Sequence, residues 1–151
     1  MIGTYGSETG RTLLESVGVS RAVDHNDQEH VARLVEEGVA VDLVVEMLAN
    51  VNLENDLDLL AMNGRVAVVG SRGTITITPR KLMSRAADIR GVSLANANAD
   101  ELREIYDAID VATRKGALNP VVQRTYPLAQ AAEAHREVIE NRSRGKIVLV
   151  P

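Results

Sequence analysis

Short β-branched runs alternate with longer stretches of helical period along the chain, and this alternation predicts βαβ units around a parallel sheet, an α/β fold. MIGTY over residues 1–5 reads as a strand. Gly6-Ser7-Glu8 is a turn with Ser7 placed to cap a helix over Arg11–Val17, which Gly18 ends. Arg21-Ala22-Val23 is a short strand. A second helix, Gln28–Glu37, sets Val31, Leu34 and Val35 on one face and stops at Gly38, a residue suited to a left-handed C-cap.

Val41–Met47 is apolar except for Asp42 and Glu46, so it reads as a central strand covered on both faces. A helix from about Leu53 to Ala61 ends at Asn63-Gly64; Arg65–Val69 is the next buried strand, and Gly70-Ser71-Arg72-Gly73 turns the chain. Thr74–Thr78 alternates with period two until Pro79 breaks it, and Arg80–Ala87 reads as a short helix. Ile89–Leu94 is a strand. Asp100 is expected to cap a long helix to about Arg114, ended by Gly116 and Pro120. A strand at Val121–Tyr126, a helix over Leu128–Asn141, a turn at Arg142–Gly145 and a strand at Lys146–Val150 complete the pattern.

The length of 151 residues suits one domain with its own core. Cysteine is absent, which excludes a disulfide framework, a thiolate zinc site and a cysteine nucleophile, and fits a cytoplasmic location. A net charge of −4 with signs interspersed offers no field that would gather nucleic acid or an anionic membrane. Phe and Trp are also missing, so base-stacking platforms are few. The apolar runs are strand-sized, short of a bilayer span. His25, His30 and His135 fall on separate elements with no metal-ligand spacing, and no metal is expected. The phosphate-cradling G-x-G-x-x-G is not found, so the residues alone support only a soluble α/β domain.

Two stretches say more. EMLANVNLENDLDLL with NGRVAVVGSRGTI, and the tail RTYPLAQAAEAHREVIENRSRGKIVLVP, resemble the zeta-crystallin type of quinone oxidoreductase, a zinc-free branch of the medium-chain dehydrogenase/reductase superfamily. MIGTYGSETG is similar to the second strand and turn of that family's cofactor domain, and VDHND to its third strand. The resemblance implies an incomplete Rossmann-like sheet. The GroES-like catalytic domain, the first strand and its glycine-rich turn would precede residue 1. It further implies a partial cofactor domain over residues 1–119 and a strand-helix-strand tail over 120–151 that packs on the catalytic domain. In the Rossmann order 3-2-1-4-5-6, losing the first strand leaves two neighbours with unpaired edges, to be closed by collapse of residues 1–5 against 41–47 or by another chain.

The implied activity is hydride transfer from NADPH to a quinone or conjugated carbonyl, a small-molecule substrate. At Ser7 an NAD enzyme would carry a carboxylate, so a hydroxyl there with Arg11 one turn on favours a 2′-phosphate and NADPH over NADH; equally, Ser7 is a helix cap and Arg11 a solvated face residue. His25 matches a ring beside the adenine, Gly70 and Ser71 a turn near the nicotinamide half, and Arg142 a phosphate-binding arginine, with Arg144 or Lys146 as substitutes because the turn is one residue short. The family's dimers pair a last strand, here Gly91–Leu94, which implies a homodimer. Glu46 and Asp42 are read as hydrogen-bonded strand carboxylates rather than general acid/base groups. The rival reading is a non-catalytic truncated α/β module for dimerisation or weak nucleotide binding.

Overall fold

The computed structural model describes residues 1–140 and 145–151. Two compact units divide the chain: Met1–Asp24 with Asn98–Pro151, and His25–Ala97.

The first unit opens with a βαβ turn. β1 (Ile2–Tyr5) pairs in parallel with β2 (Arg21–Asp24), Ile2 opposite Arg21 and Tyr5 opposite Asp24, and α1 (Glu8–Ser16) connects them. Leu14 of α1 packs where a side chain on Gly3 would stand, 3.0 Å from its Cδ2. Ser7 caps α1 as expected, and Gly18 leaves the helix at φ +82°, a conformation only glycine adopts without strain. α5 (Ala99–Arg114) starts from a capping box in which Asn98 accepts the Asp100 and Glu101 N–H groups while Glu101 accepts from the Asn98 N–H. Asp100 is therefore inside the helix, not its cap: Asn98 has the extended backbone a cap requires. β6 (Val122–Pro127) and β7 (Lys146–Val150) form a second parallel pair, joined through a 3-10 turn at Leu128–Gln130 and α6 (Ala131–Glu140), with Tyr126 and Ala134 buried.

The second unit carries a three-stranded parallel sheet in the order β3 (Val41–Glu46), β4 (Leu60–Val68), β5 (Asp88–Gly91). α2 (His30–Glu36), α3 (Ala49–Leu59) and α4 (Pro79–Arg85) accompany it. Ala49, Leu53, Leu57, Leu60 and Val66 form its core, closed by Val44, Val68, Ile75, Ile77, Leu82, Ala87 and Ile89. Leu57 and Val66 are fully enclosed, and burial of such side chains contributes about 1.5–3 kcal/mol each.

β3 is covered on one face only: Val44 and Glu46 turn inward to α3, while Leu43 and Val45 are 55% and 61% exposed. α3 begins at Ala49, four residues before the expected Leu53, because its first donors find tertiary acceptors: the Ala49 N–H bonds the Gly70 carbonyl at 2.9 Å and the Leu48 N–H bonds the Glu46 carboxylate. Asn63, at φ +61°, and Gly64 lie within β4 rather than ending the helix. Thr74–Thr78 joins no ladder. Its alternation still drives Ile75 and Ile77 onto the core, and Thr78 donates through N–H and Oγ1 to Glu54. The strand expected over Ile89–Leu94 spans Asp88–Gly91; a last bond runs from Val92 N–H to the Val68 carbonyl before a 3-10 turn at Leu94–Asn96. Among the described residues β1 pairs with β2 alone and β3 with β4 alone, so residues 1–5 and 41–47 have not collapsed into one ladder.

Candidate functional site

Parallel strands collect the N-termini of the following helices and the intervening turns at their carboxyl ends. In the first unit, β1 delivers Ser7 and the start of α1 to such an edge. Ser7 Oγ accepts the Gly10 N–H at 3.2 Å, and Arg11, one turn on, donates from Nε to Glu15 at 2.9 Å and lies 3.7 Å from Glu8. The hydrogen bond to Glu15, then its charge and that of Glu8, hold the guanidinium proton more tightly still. Both side chains thus serve α1 itself, yet Arg11 is half exposed and its ion pairs are of the solvent-screened surface kind that contributes little.

In the second unit, the ends of β3 and β4 are bound together by backbone. The Glu46 carbonyl accepts from Val69 N–H at 2.8 Å and Gly70 N–H at 3.2 Å, and Asn50 Oδ1 accepts the Arg72 N–H at 2.8 Å. A Cβ on Gly70 would stand 2.3 Å from the Met47 carbonyl oxygen, so the turn's approach requires glycine. Ser71 Oγ donates to the Gly73 carbonyl. Gly70 and Ser71 are thereby brought together with Met47–Asn50, while His25 is exposed in the turn between β2 and α2. Arg142 and its substitute Arg144 lie outside the described residues; Lys146 is exposed at the start of β7.

The carboxyl groups of this edge are more buried than the sequence suggested. Glu46 accepts from Leu48 N–H and from Asn52 Nδ2 at 3.2 and 3.3 Å, which agrees with its reading as a hydrogen-bonded strand carboxylate, whereas Asp42 is exposed. Asp56 on α3 is buried beside it. Burial first, then hydrogen bonding and charge from Glu46, push the Asp56 carboxyl up to about 8, so it is protonated at neutral pH.

A polar cluster that sequence reasoning missed lies on the tail. The buried Tyr126 hydroxyl donates to Glu137, and Arg124 stands 4.6 Å over the Tyr126 ring while its Nη1 is 3.1 Å from Glu137. Its signal was available, since two residues apart on β6 puts Arg124 and Tyr126 on one face. Arg136, Glu133 and Glu140 complete an open recess there.

Comparison with known proteins places these features. The profile of the family described as zinc-binding dehydrogenase matches residues 17–149. The chain belongs to that family. Among its relatives, the quinone oxidoreductases of Sus scrofa and Homo sapiens are each 37% identical to 99% of this chain, which spans 46% of their length. The 2-haloacrylate reductase of Burkholderia sp is 26% identical, with 48% of its length spanned. The chain thus covers about half the length of the curated zinc-binding dehydrogenase relatives it matches. Solved structures agree: a 2-haloacrylate reductase superposes with a TM-score of 0.81 at 26% identity over 99% of this chain and 49% of its own, and an NAD-dependent alcohol dehydrogenase with 0.81 at 26% over 99% and 43%. The resemblance to the quinone oxidoreductases and the Rossmann-like α/β class are both shown. Among the described residues, no group of three or more His, Cys, Asp or Glu side chains could hold a metal ion, and no helix is long and apolar enough to cross a membrane.

Proposed function

We propose that this chain is the cofactor-binding half of a zinc-free, cytoplasmic, NADPH-dependent quinone oxidoreductase. The observation that carries this is identity of 37% along 99% of the chain with quinone oxidoreductases, over less than half of their length. When bound, NADPH supplies a hydride for a quinone or conjugated carbonyl, and the protein's part is to bind and orient. The residues fit an adenosine phosphate: the first turn of α1 offers backbone N–H groups, Ser7 supplies a hydroxyl instead of a carboxylate, and Arg11 is within one turn, held by pairs weak enough to yield to a phosphate. Ser7 and Arg11 would take the 2′-phosphate, His25 the adenine, Gly70 and Ser71 the nicotinamide side, and Arg142 a phosphate. Residues 120–151 would pack on a catalytic domain outside this chain. β5 is the outer strand of its sheet and Val92 and Leu94 are exposed, which suits edge pairing of Gly91–Leu94 in a homodimer.

A second reading, a non-catalytic truncated α/β module for dimerisation or weak nucleotide binding, draws on specific contacts: Ser7 and Arg11 already serve α1, and Gly70 is demanded by its approach to Met47. Calorimetric titration of NADPH and NADH into the 151-residue chain separates the two. Micromolar NADPH binding that Arg11→Glu weakens at least tenfold, with little change for NADH, is the expected result. No heat from either cofactor favours the module, and equal small losses in the variant remove Arg11 from the phosphate site.

A further inference from the structure

Glu46 joins the carboxyl ends of β3 and β4 from both its backbone and its side chain. Its carbonyl holds Val69 and Gly70; its carboxylate holds the Leu48 N–H and the Asn52 amide; and the Ala49 N–H returns to the Gly70 carbonyl. Against this carboxylate lies a second one, Asp56, on the second turn of α3. Glu46 and Asp56 are only 6% and 7% exposed, and Asp56 Oδ2 is buried with no hydrogen-bond partner.

Two neighbouring buried carboxyls cannot both be ionised without strong repulsion and a large desolvation cost. One of them must carry a proton. Glu46 already accepts three N–H contacts whereas Asp56 Oδ2 is buried with no donor beside it, so the proton belongs to Asp56, in keeping with the burial that raises its pKa. Among the described residues, the cations near α3 are engaged elsewhere or exposed. On the elements packed against α3, Lys81 of α4 binds Glu54 and Asp58, Arg85 donates to the Asp58 carbonyl, Arg65 of β4 pairs with Asp88, and Arg33 and His30 of α2 engage Asp27. Arg80 of α4, Glu36 of α2 and Asp42 of β3 are exposed. Among the described residues, burial first and then Glu46 act on the Asp56 carboxyl.

We propose that the buried Asp56 carboxyl, kept neutral against Glu46 by its own proton, fastens the β3–α3 turn to the Gly70 turn, making Asp56 a positioning residue that sets whether this carboxyl edge is closed or loosened. Loss of that proton sets two carboxylates against each other, and the pair separates either by releasing the Leu48 N–H or by shifting α3. The edge then opens locally, because the bonds from Leu48, Ala49 and Gly70 all meet at Glu46 or its turn. The inference does not rest on the nucleotide reading, and its test uses no cofactor.

The experiment is carboxyl carbon NMR of the full chain together with amide hydrogen exchange between pH 6 and 9.5, on wild type, Asp56→Asn and Glu46→Gln. The Asp56 carboxyl carbon is expected to titrate well above the ordinary carboxylate range of about 4 and to move down in Glu46→Gln. Beyond the intrinsic base-catalysed rise, protection of Leu48, Ala49 and Gly70 is expected to fall at least tenfold as that proton leaves, while Leu57 and Val66 in the core hold theirs. Asp56→Asn, which keeps a donor facing Glu46, removes the fall. An Asp56 titration near pH 4 overturns the proposal without any variant. So does a loss of protection shared equally by Val66, which is global unfolding, or one unchanged in Asp56→Asn.

Discussion

Asp56 ties its burial to stability through a linkage whose sign is unusual for a carboxyl group. Its folded pKa, about 8, lies above the unfolded value, so between the two the native state holds a proton that the unfolded state has released. The contribution is full below the unfolded pKa and declines as pH rises towards 8. Asp56→Asn removes that decline, and urea unfolding at a series of pH values should show the variant gaining on wild type by up to about 1.4 kcal/mol per pH unit from near pH 4 to near pH 8, with little difference below it. A constant offset across that range would mean that Asp56 is not the group that titrates. None of this was legible in the sequence: Glu46 was visible, with Asp42, as a carboxylate in an otherwise apolar strand, but its placement beside Asp56 depends on how far α3 reaches back over the end of β3. Ser7 and Arg11, by contrast, needed only helical spacing, and the structure returns both on α1 as spaced.

At the scale of elements, local rules succeeded where the satisfying group was nearby in sequence and failed where it was not. Ser7, Gly18, Gly38 and the strand Lys146–Val150 were readable from neighbours alone. The start of α3 was not, since its first turn borrows Glu46 and a carbonyl more than twenty residues further on. Nor was the fate of Thr74–Thr78, where period-two alternation places Ile75 and Ile77 on the core without a strand to pair with. α5 tests how much a local device contributes, because no residue of it is buried and its capping box is its clearest anchor. Asn98→Ala should destabilise by about 1 kcal/mol, seen as faster exchange of the Asp100 and Glu101 amides, whereas Asp100→Ala should leave those two amides unchanged. A cap at Asp100 would give the reverse.

For the whole molecule, the family and fold follow from the sequence, while the separation into three parallel ladders does not, because strand order depends on what stands beside β1 and β3. The two units also differ in how the chain is threaded. His25–Ala97 is one unbroken run, but the other unit joins residues before it to residues after it. Contacts within an unbroken run close short loops, and ordering them costs less chain entropy than bringing together ends on either side of it. On the ribosome the asymmetry is sharper. Every residue of the inner unit has been polymerised before most of the outer one exists, so the nascent chain can hide the apolar cluster around Leu57 and Val66 while the tail strands are still being translated.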